Sequence, residues 1–522
     1  MERIVRSAVV LSLLALVPML AIAQSADSPE SAGITPVTGD LTPWRPYGVD
    51  AANYENVWVV ALNDGTIVAF KLAMDMQGPG VIGGSEFLMF GPDGTQLTPM
   101  PVMGTWEADG NPTPLVDYAG TGAGWGAFTM GARPDRANGT GFVVHNQMEA
   151  AAFHGLPLGD VLGDEAGTVV QLFDNSGSHV GSNINAFGTL TAEEGSYRDI
   201  GADILSNGDI VAVGEDRQSS DDAKDAAGLV GGEAVVAVIL GPDGSTKKAP
   251  FLVHTDANGQ YIGTDNSSVV YQNVVAFGGG FVIDHGAGIR WYNNDGTPRT
   301  PSQADHAELD GIEVDPVYGF LIGANTGGRG DGMAMASNGK NLVVKSVNIG
   351  EGTDSIGILI YYNTDGTVRN WVRFDDTNLD EEIGGVDRTF CDMDENGNVF
   401  VVWLDERVGS ADGELQIYGR FFNSEGEPYG PSFPVYANTR TEVEMLDYGY
   451  REFGAGAFSQ PRCAINSQVA AVIDASTIVP DIPDIIKQLA QAFDGVAMIS
   501  DAVVRIFENP YAPVGVQDWS LY

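Results

Sequence analysis

Cysteine is nearly missing from this chain of 522 residues, which carries only Cys391 and Cys463. Two cysteines cannot build a disulfide scaffold, so buried apolar surface has to hold the fold. Positive charge is scarce too. Lys and Arg together number 26 against 70 Asp and Glu, for a formal net charge of −44. A surface so short of cations excludes nucleic acid as a partner, because phosphate binding needs a basic face, and it disfavours anionic membrane. Only 18% of residues are charged while 43% are hydrophobic, too apolar for an acidic disordered chain. No H-E-x-x-H, G-x-S-x-G, P-loop or dinucleotide fingerprint occurs, and none of the six histidines has metal-ligand spacing.

Long hydrophobic runs are lacking after residue 23. The one at the start, Ala8 to Ala23, follows the basic residues Arg3 and Arg6 and ends on Ala21-Ile22-Ala23. A basic start, a short apolar stretch and an A-x-A exit predict a signal peptide over 1–23. The run is shorter than the ~20 residues of a membrane span. The mature chain is therefore expected to be secreted (extracellular or periplasmic), monomeric and not inserted in a membrane. Residues 24–42, rich in Ser, Pro, Thr and Gly, are expected to form a flexible leader into a single domain over 43–522.

What the chain has in excess is glycine, 68 residues, and the glycines punctuate a repeat. A short apolar strand runs into a tight turn, and a second apolar strand follows, as in Val57-Trp58-Val59-Val60-Ala61, Asn63-Asp64-Gly65, Ile67-Val68-Ala69-Phe70. Equivalent turns stand at Asn138-Gly139, Asn207-Gly208, Gly278-Gly279-Gly280, Asn338-Gly339, Asn396-Gly397 and Asn466-Ser467. Asn-Gly between apolar runs predicts a two-residue hairpin. A second kind of turn follows each pair, for example Gly91-Pro92-Asp93-Gly94, Asn293-Asn294-Asp295-Gly296 and Asn423-Ser424-Glu425-Gly426, with a degenerate seventh copy ending at Asn509-Pro510. Four strands per unit, repeated seven times, predict an all-β fold: a seven-bladed β-propeller of four-stranded blades. A propeller must seal its ring or leave open strand edges. The segment Leu41 to Val49 is expected to complete the last blade. One helical insertion is expected over about 481–494, opened by Pro480 and Pro483 and stopped by Asp494-Gly495.

The sixth unit carries the fullest repeat: Val401-Val402-Trp403-Leu404-Asp405-Glu406-Arg407, Ile417-Tyr418-Gly419-Arg420-Phe421, then Gly426-Glu427-Pro428-Tyr429-Gly430. This resembles the blade repeat of secreted bacterial β-propeller proteins, V-V-W-x-D-x-R, I-Y-x-x-R-F, G-x-P-x-G. The resemblance implies fold and export and carries little about activity.

The connection after the second strand is acidic in several units. Glu215, Asp216, Asp221 and Asp222 in the third, and Asp405, Glu406, Asp412 and Glu414 in the sixth, are candidate ligands for Ca2+, a hard cation that takes six to eight oxygens; a merely solvated acidic surface is the competing reading. Asp392-Met393-Asp394-Glu395-Asn396-Gly397 matches half of a calcium loop, but the twelfth position is Trp403, and the stretch reads as a hairpin turn. Arg329-Gly330-Asp331 is a three-residue adhesion motif of low specificity. Cys391 and Cys463 occupy matching places in the sixth and seventh units, as a bridge or as two buried thiols. The functional expectation is a non-catalytic scaffold binding a glycan, an extracellular protein or calcium at a blade face. The alternative is a sialidase-like or other propeller glycoside hydrolase, although the S-x-D-x-G-x-T-W boxes of sialidases are missing. A structural surface protein is a third reading.

Overall fold

The computed structural model describes residues 25–41, 51–75, 82–99, 128–131, 141–148, 165–181, 197–216, 234–253, 273–285, 288–301, 333–349, 355–376, 385–405, 414–436, 461–478 and 500–513, with shorter pieces between them. The expected helical insertion at 481–494 and the Arg329-Gly330-Asp331 motif lie outside these residues. The described chain is all-β, built of many small antiparallel sheets, with one three-residue 3-10 turn at Glu30–Ala32.

Seven strands open the larger sheets: β1 (Ala51–Ala61), β2 (Phe128–Gly131), β3 (Tyr197–Ile204), β4 (Asn273–Phe277), β5 (Met333–Ser337), β6 (Val386–Met393) and β7 (Arg462–Ile465). Each packs beside the next, and β7 packs beside β1, so they form a closed ring. From each, the sheet proceeds outward as an antiparallel meander. The number of strands varies. The sheets begun by β1, β3 and β5 have four; those begun by β4 and β7 have three among the described residues; those begun by β2 and β6 carry an additional side pairing. Meander order puts the turns from first to second and from third to fourth strand at one end of the ring and the connections from second to third strand at the other; among the latter, that from His285 to Gly288 is only two residues long.

Several of the tight turns hold one residue more than expected, while those at Gly278-Gly279 and Ser467-Gln468 keep two. At Asp394 to Asn398, Asp394 N–H donates to Asn398 O and Gly397 N–H to Asp394 O. This is a type I turn closed by a left-handed glycine, and Gly397 has φ 87°. Asp394 Oδ1 accepts from the N–H of Asn396 and of Asn398, both at 2.8 Å, and its Oδ2 from Asn398 Nδ2 and Asn509 Nδ2. The carboxylate is thus consumed by the turn, as the hairpin reading of this calcium-like stretch requires.

Apolar seams hold neighbouring sheets together. Strand alternation turns Val343, Lys345 and Val347 to one face, and the two valines join Val275, Phe277, Val282 and Trp291 of the preceding sheet in one core cluster. Lys345 lies in that seam as an ion pair with Asp284, 2.7 Å from Nζ to Oδ2, with both side chains shielded from water.

A recurring arginine staples one sheet to the one before. Arg290, Arg420 and Arg505 occupy the same place on the third strand, and each donates from Nη1 to the carbonyl of Val253, Phe374 and Val435 respectively, at 3.0, 3.1 and 2.6 Å. Each acceptor residue is itself tied by its N–H to the third strand of its own sheet, at Val235, Gly357 and Ile417. The arginine of the I-Y-x-x-R-F repeat is therefore an inter-sheet clamp. An R420M variant strips donors from the carbonyls of Phe374 and Gly430 and is expected to lose about 1.5–3 kcal/mol. Thermal melting checks this; an unchanged midpoint would remove the clamp from the account.

Part of the segment expected to be a flexible leader is instead built into the fold. Residues 36–41 run antiparallel to β8 (Ser500–Glu508), with bridges Pro36 to Phe507 and Leu41 to Val504. Leu41 and Val504 exchange two backbone hydrogen bonds of 2.9 Å. Ahead of this, Ala26 N–H donates to Ser432 O, and Ala32 and Ile34 are buried against the sheet begun by β6. The N-terminal region does complete the last sheet, with pairing that begins at Pro36 and includes Leu41; most of 42–49 lies outside the described residues. The pairing follows from alternation: Val37 and Leu41 pack against the core cluster that contains Val504 and Ile506.

Cys391 and Cys463 are free thiols, both buried. Each sulfur donates toward backbone carbonyls of the preceding sheet, Cys391 to Ala334 O at 3.4 Å and Cys463 to Phe400 O at 3.4 Å. The bridge reading is thereby corrected: successive first strands point equivalent side chains in the same sense around the ring, not at each other. Burial pushes the Cys391 thiol up to about 12 and Cys463 well above its ordinary value. Titration of unfolded, unreduced protein is expected to find two thiols, and native protein none that react quickly.

Candidate active site inside the ring

The inner side of the ring gathers charged and aromatic residues from strands far apart in sequence. Asp203 on β3 and Asp392 on β6 stand at the same position, two residues before their turns. Each carboxylate reaches the following strand: Asp203 Oδ2 accepts from Ala276 N–H at 2.7 Å and Asp392 Oδ2 from Ile465 N–H at 2.8 Å. β3 and β6 are three strands apart in the ring, and the charge of Asp203 makes the smallest contribution to the rise of the Asp392 carboxyl. Asp203 is buried and Asp392 half-buried. Burial pushes the Asp392 carboxyl up to about 7 against the pull of two backbone N–H groups, and the charges of Asp394 and Asp203 add to the rise.

Two residues further from the turns, Phe390 on β6, Arg462 on β7 and Trp58 on β1 again share one position on consecutive strands. The Arg462 guanidinium lies over both rings, 4.4 Å from the Trp58 centroid and 4.7 Å from Phe390. The rings meet edge to face at 5.5 Å and 87°. Arg462 is 5% exposed and Phe390 8%, while Trp58 is only partly covered. A guanidinium held over two aromatic faces is a fixed positive group, and Trp58 presents the partly open edge of the cluster.

The acidic residues singled out from the sequence are placed differently. Asp405 ends the second strand of its sheet, is fully buried, and accepts the indole N–H of Trp403 at 2.7 Å. Glu215 and Asp216 end the second strand of theirs, opposite Arg198 and Tyr197 in register. Glu414 begins a strand and pairs with Thr441. Asp221, Asp222, Glu406 and Asp412 lie outside the described residues. Among the described residues no three His, Cys, Asp or Glu come together as a metal site would need.

Sequence reasoning passed over Asp203, Trp58 and Arg462 and set Asp392 aside with its turn. The signal available was position: counted back from the turn, these residues recur at matching places, and a charge there falls on an inner strand.

No protein-family model matches the chain, and no curated sequence matches it. Solved structures do resemble it. A polysaccharide lyase, Uly1, aligns with TM-score 0.40 and 9% identity over 88% of this chain and 90% of that one. The phage phi92 endosialidase aligns with TM-score 0.39 and 10% identity over 91% of this chain and 68% of that one. The β-propeller domain of the Trilobed protease from Pyrococcus furiosus, of open velcro topology, aligns with TM-score 0.36 and 6% identity over 81% and 90%. An α-L-arabinanase and a sialidase are also among them. Similar structures are thus mostly enzymes named for cleaving glycans. This runs against the non-catalytic scaffold expected from the sequence, and that expectation is withdrawn.

Proposed function

We propose that the protein is an exported, seven-bladed β-propeller that hydrolyses glycosidic bonds at the inner side of its ring. One observation carries the reading: two carboxyls, Asp203 and Asp392, stand at the same position on inner strands of the ring, each held by a backbone N–H of the next strand, and burial raises the proton affinity of Asp392. Glycoside hydrolysis asks for such a pair, one acid still protonated at working pH and one carboxylate to serve the other face of the sugar. In the proposed step Asp392 gives its proton to the glycosidic oxygen as the bond from that oxygen to the anomeric carbon breaks. Water forms the new bond to that carbon and yields its proton to Asp203. Trp58 offers an apolar face for a sugar ring, and Arg462 fixes the orientation of Trp58. The seven-fold count is supported by the closed order of β1 to β7.

The test is release of reducing ends from a panel of polysaccharides by the full-length exported protein. Cleavage that disappears in D392N supports the reading. Cleavage that persists at the wild-type rate in both D392N and D203N moves the chemistry elsewhere and ends it.

A further inference from the structure

We infer that Asn396, on the turn after β6, is a site of spontaneous deamidation, and that its conversion loosens the junction at which the ring closes. Asparagine is a thermolabile side chain, and a following glycine, with no Cβ, hinders its own amide nitrogen least. Both residues of the pair are described for Asn207-Gly208, Asn338-Gly339 and Asn396-Gly397. The glycine N–H is engaged in all three, by Leu205 O at 2.9 Å, Ser337 Oγ at 2.9 Å and Asp394 O at 3.0 Å. What differs is the asparagine side chain. Asn338 is 6% exposed, and its Oδ1 accepts the N–H of Lys340, Asn341 and Leu342. Asn207 is exposed, yet its Nδ2 donates to Asp209 Oδ2 at 2.7 Å and its Oδ1 accepts Asp209 N–H. Asn396 is exposed too, at the same place in the same kind of turn. Two residues on, however, stands Asn398 instead of an aspartate, and Asn398 turns its amide to Asp394. Among the described residues the Asn396 side chain has no hydrogen-bond partner. Lys340 Nζ, 3.2 Å from Glu395 O, brings positive charge to this turn, which favours the ionised form of a nearby amide nitrogen.

The step balances with water alone. The Gly397 nitrogen releases Asp394 O, loses its proton to solvent and attacks Cγ of Asn396. The new nitrogen–carbon bond forms, the bond from Cγ to Nδ2 breaks, and ammonia leaves, taking up a proton. Water then opens the cyclic imide at one carbonyl or the other and leaves aspartate or isoaspartate, each with a new negative charge. That charge stands beside Asp394, whose Oδ1 accepts the N–H of residues 396 and 398, both at 2.8 Å. Isoaspartate also routes the main chain through the former side chain and lengthens the turn by one atom. The disturbance has a path. Asp394 Oδ2 accepts from Asn509 Nδ2 at 3.1 Å, Asn509 Nδ2 also reaches Asn466 O at 2.8 Å, and Asn466 Nδ2 reaches Leu62 O at 2.9 Å. These contacts join the turn after β6 to the last sheet and then to the first, across the seam where the ring is sealed.

Peptide mapping by mass spectrometry tests this on full-length protein held for weeks in mildly alkaline buffer, native and in denaturant. In the native protein Asn396 is expected to convert first, about tenfold or more faster than Asn207, because freeing Asn207 breaks a hydrogen bond to a carboxylate; Asn338 should be slowest. In denaturant the three rates should converge. The melting midpoint should fall as position 396 converts. N396Q, whose longer side chain has to close a six-membered ring to react, should age without that fall. Equal native rates at Asn207 and Asn396, or a midpoint that stays where it was once position 396 has converted, overturns the inference.

Discussion

A K345M variant is expected to lose about 3–5 kcal/mol of stability, because it takes away the ammonium paired with Asp284 in an apolar seam. The two groups are 2.7 Å apart, with side-chain exposures of 0% and 1%. Their neighbours on the same face are Val282, Val343 and Val347, none of which can take up a charge. The double variant K345M/D284L removes both members of the pair and is expected to recover most of the loss, since a buried pair replaced by apolar residues of similar size is often neutral. Chemical denaturation of the two variants separates a pairing effect from a packing effect. A double variant as unstable as K345M would show that side-chain volume, not charge, is what the seam needs.

D392N is expected to cut glycan cleavage by about 10²- to 10⁴-fold, the usual range for loss of a general acid, with D203N also impaired. Activity of the wild type should fall as pH rises through about 7, where Asp392 gives up its proton. Stability has a sign of its own. A carboxyl whose folded value is raised from 3.8 to about 7 binds its proton more tightly in the folded protein. Its contribution is complete below pH 4 and is lost as pH climbs toward 7. The wild-type melting temperature should therefore decline over that window more steeply than that of D392N. Asparagine keeps an oxygen that can accept the Ile465 N–H, so the comparison is between folded proteins. Parallel slopes would show that Asp392 is ionised throughout and take away its part as the acid.

The architecture was largely legible because turns are local. Gly65, Gly208, Gly339 and Gly397 all have φ above 70°, and a glycine that tolerates such angles leaves its mark in sequence wherever the strand must reverse. The inter-sheet arginine was visible as a repeat letter, but its role was not, since Arg420 and Phe374 are 46 residues apart. The site was hardest to read. Trp58 and Phe390, on opposite sides of most of the chain, touch only because the ring closes. Nothing local distinguishes Asp392 from the other acidic residues; its proton affinity comes from burial, which sequence does not state. Lys345 was findable: a lysine on the same face of a strand as Val343 and Val347 calls for a buried partner, and Asp284 is what it meets.

The joining of residues 36–41 to β8 makes closure of the ring a long-range event. Ile506 N–H bonds to Thr38 Oγ1, a partner 468 residues away along the chain. A contact of that separation asks folding to close a long loop before anything is gained from it, and such pairings form slowly. Until the two segments meet, β8 carries an open strand edge, a template for any stray strand it encounters.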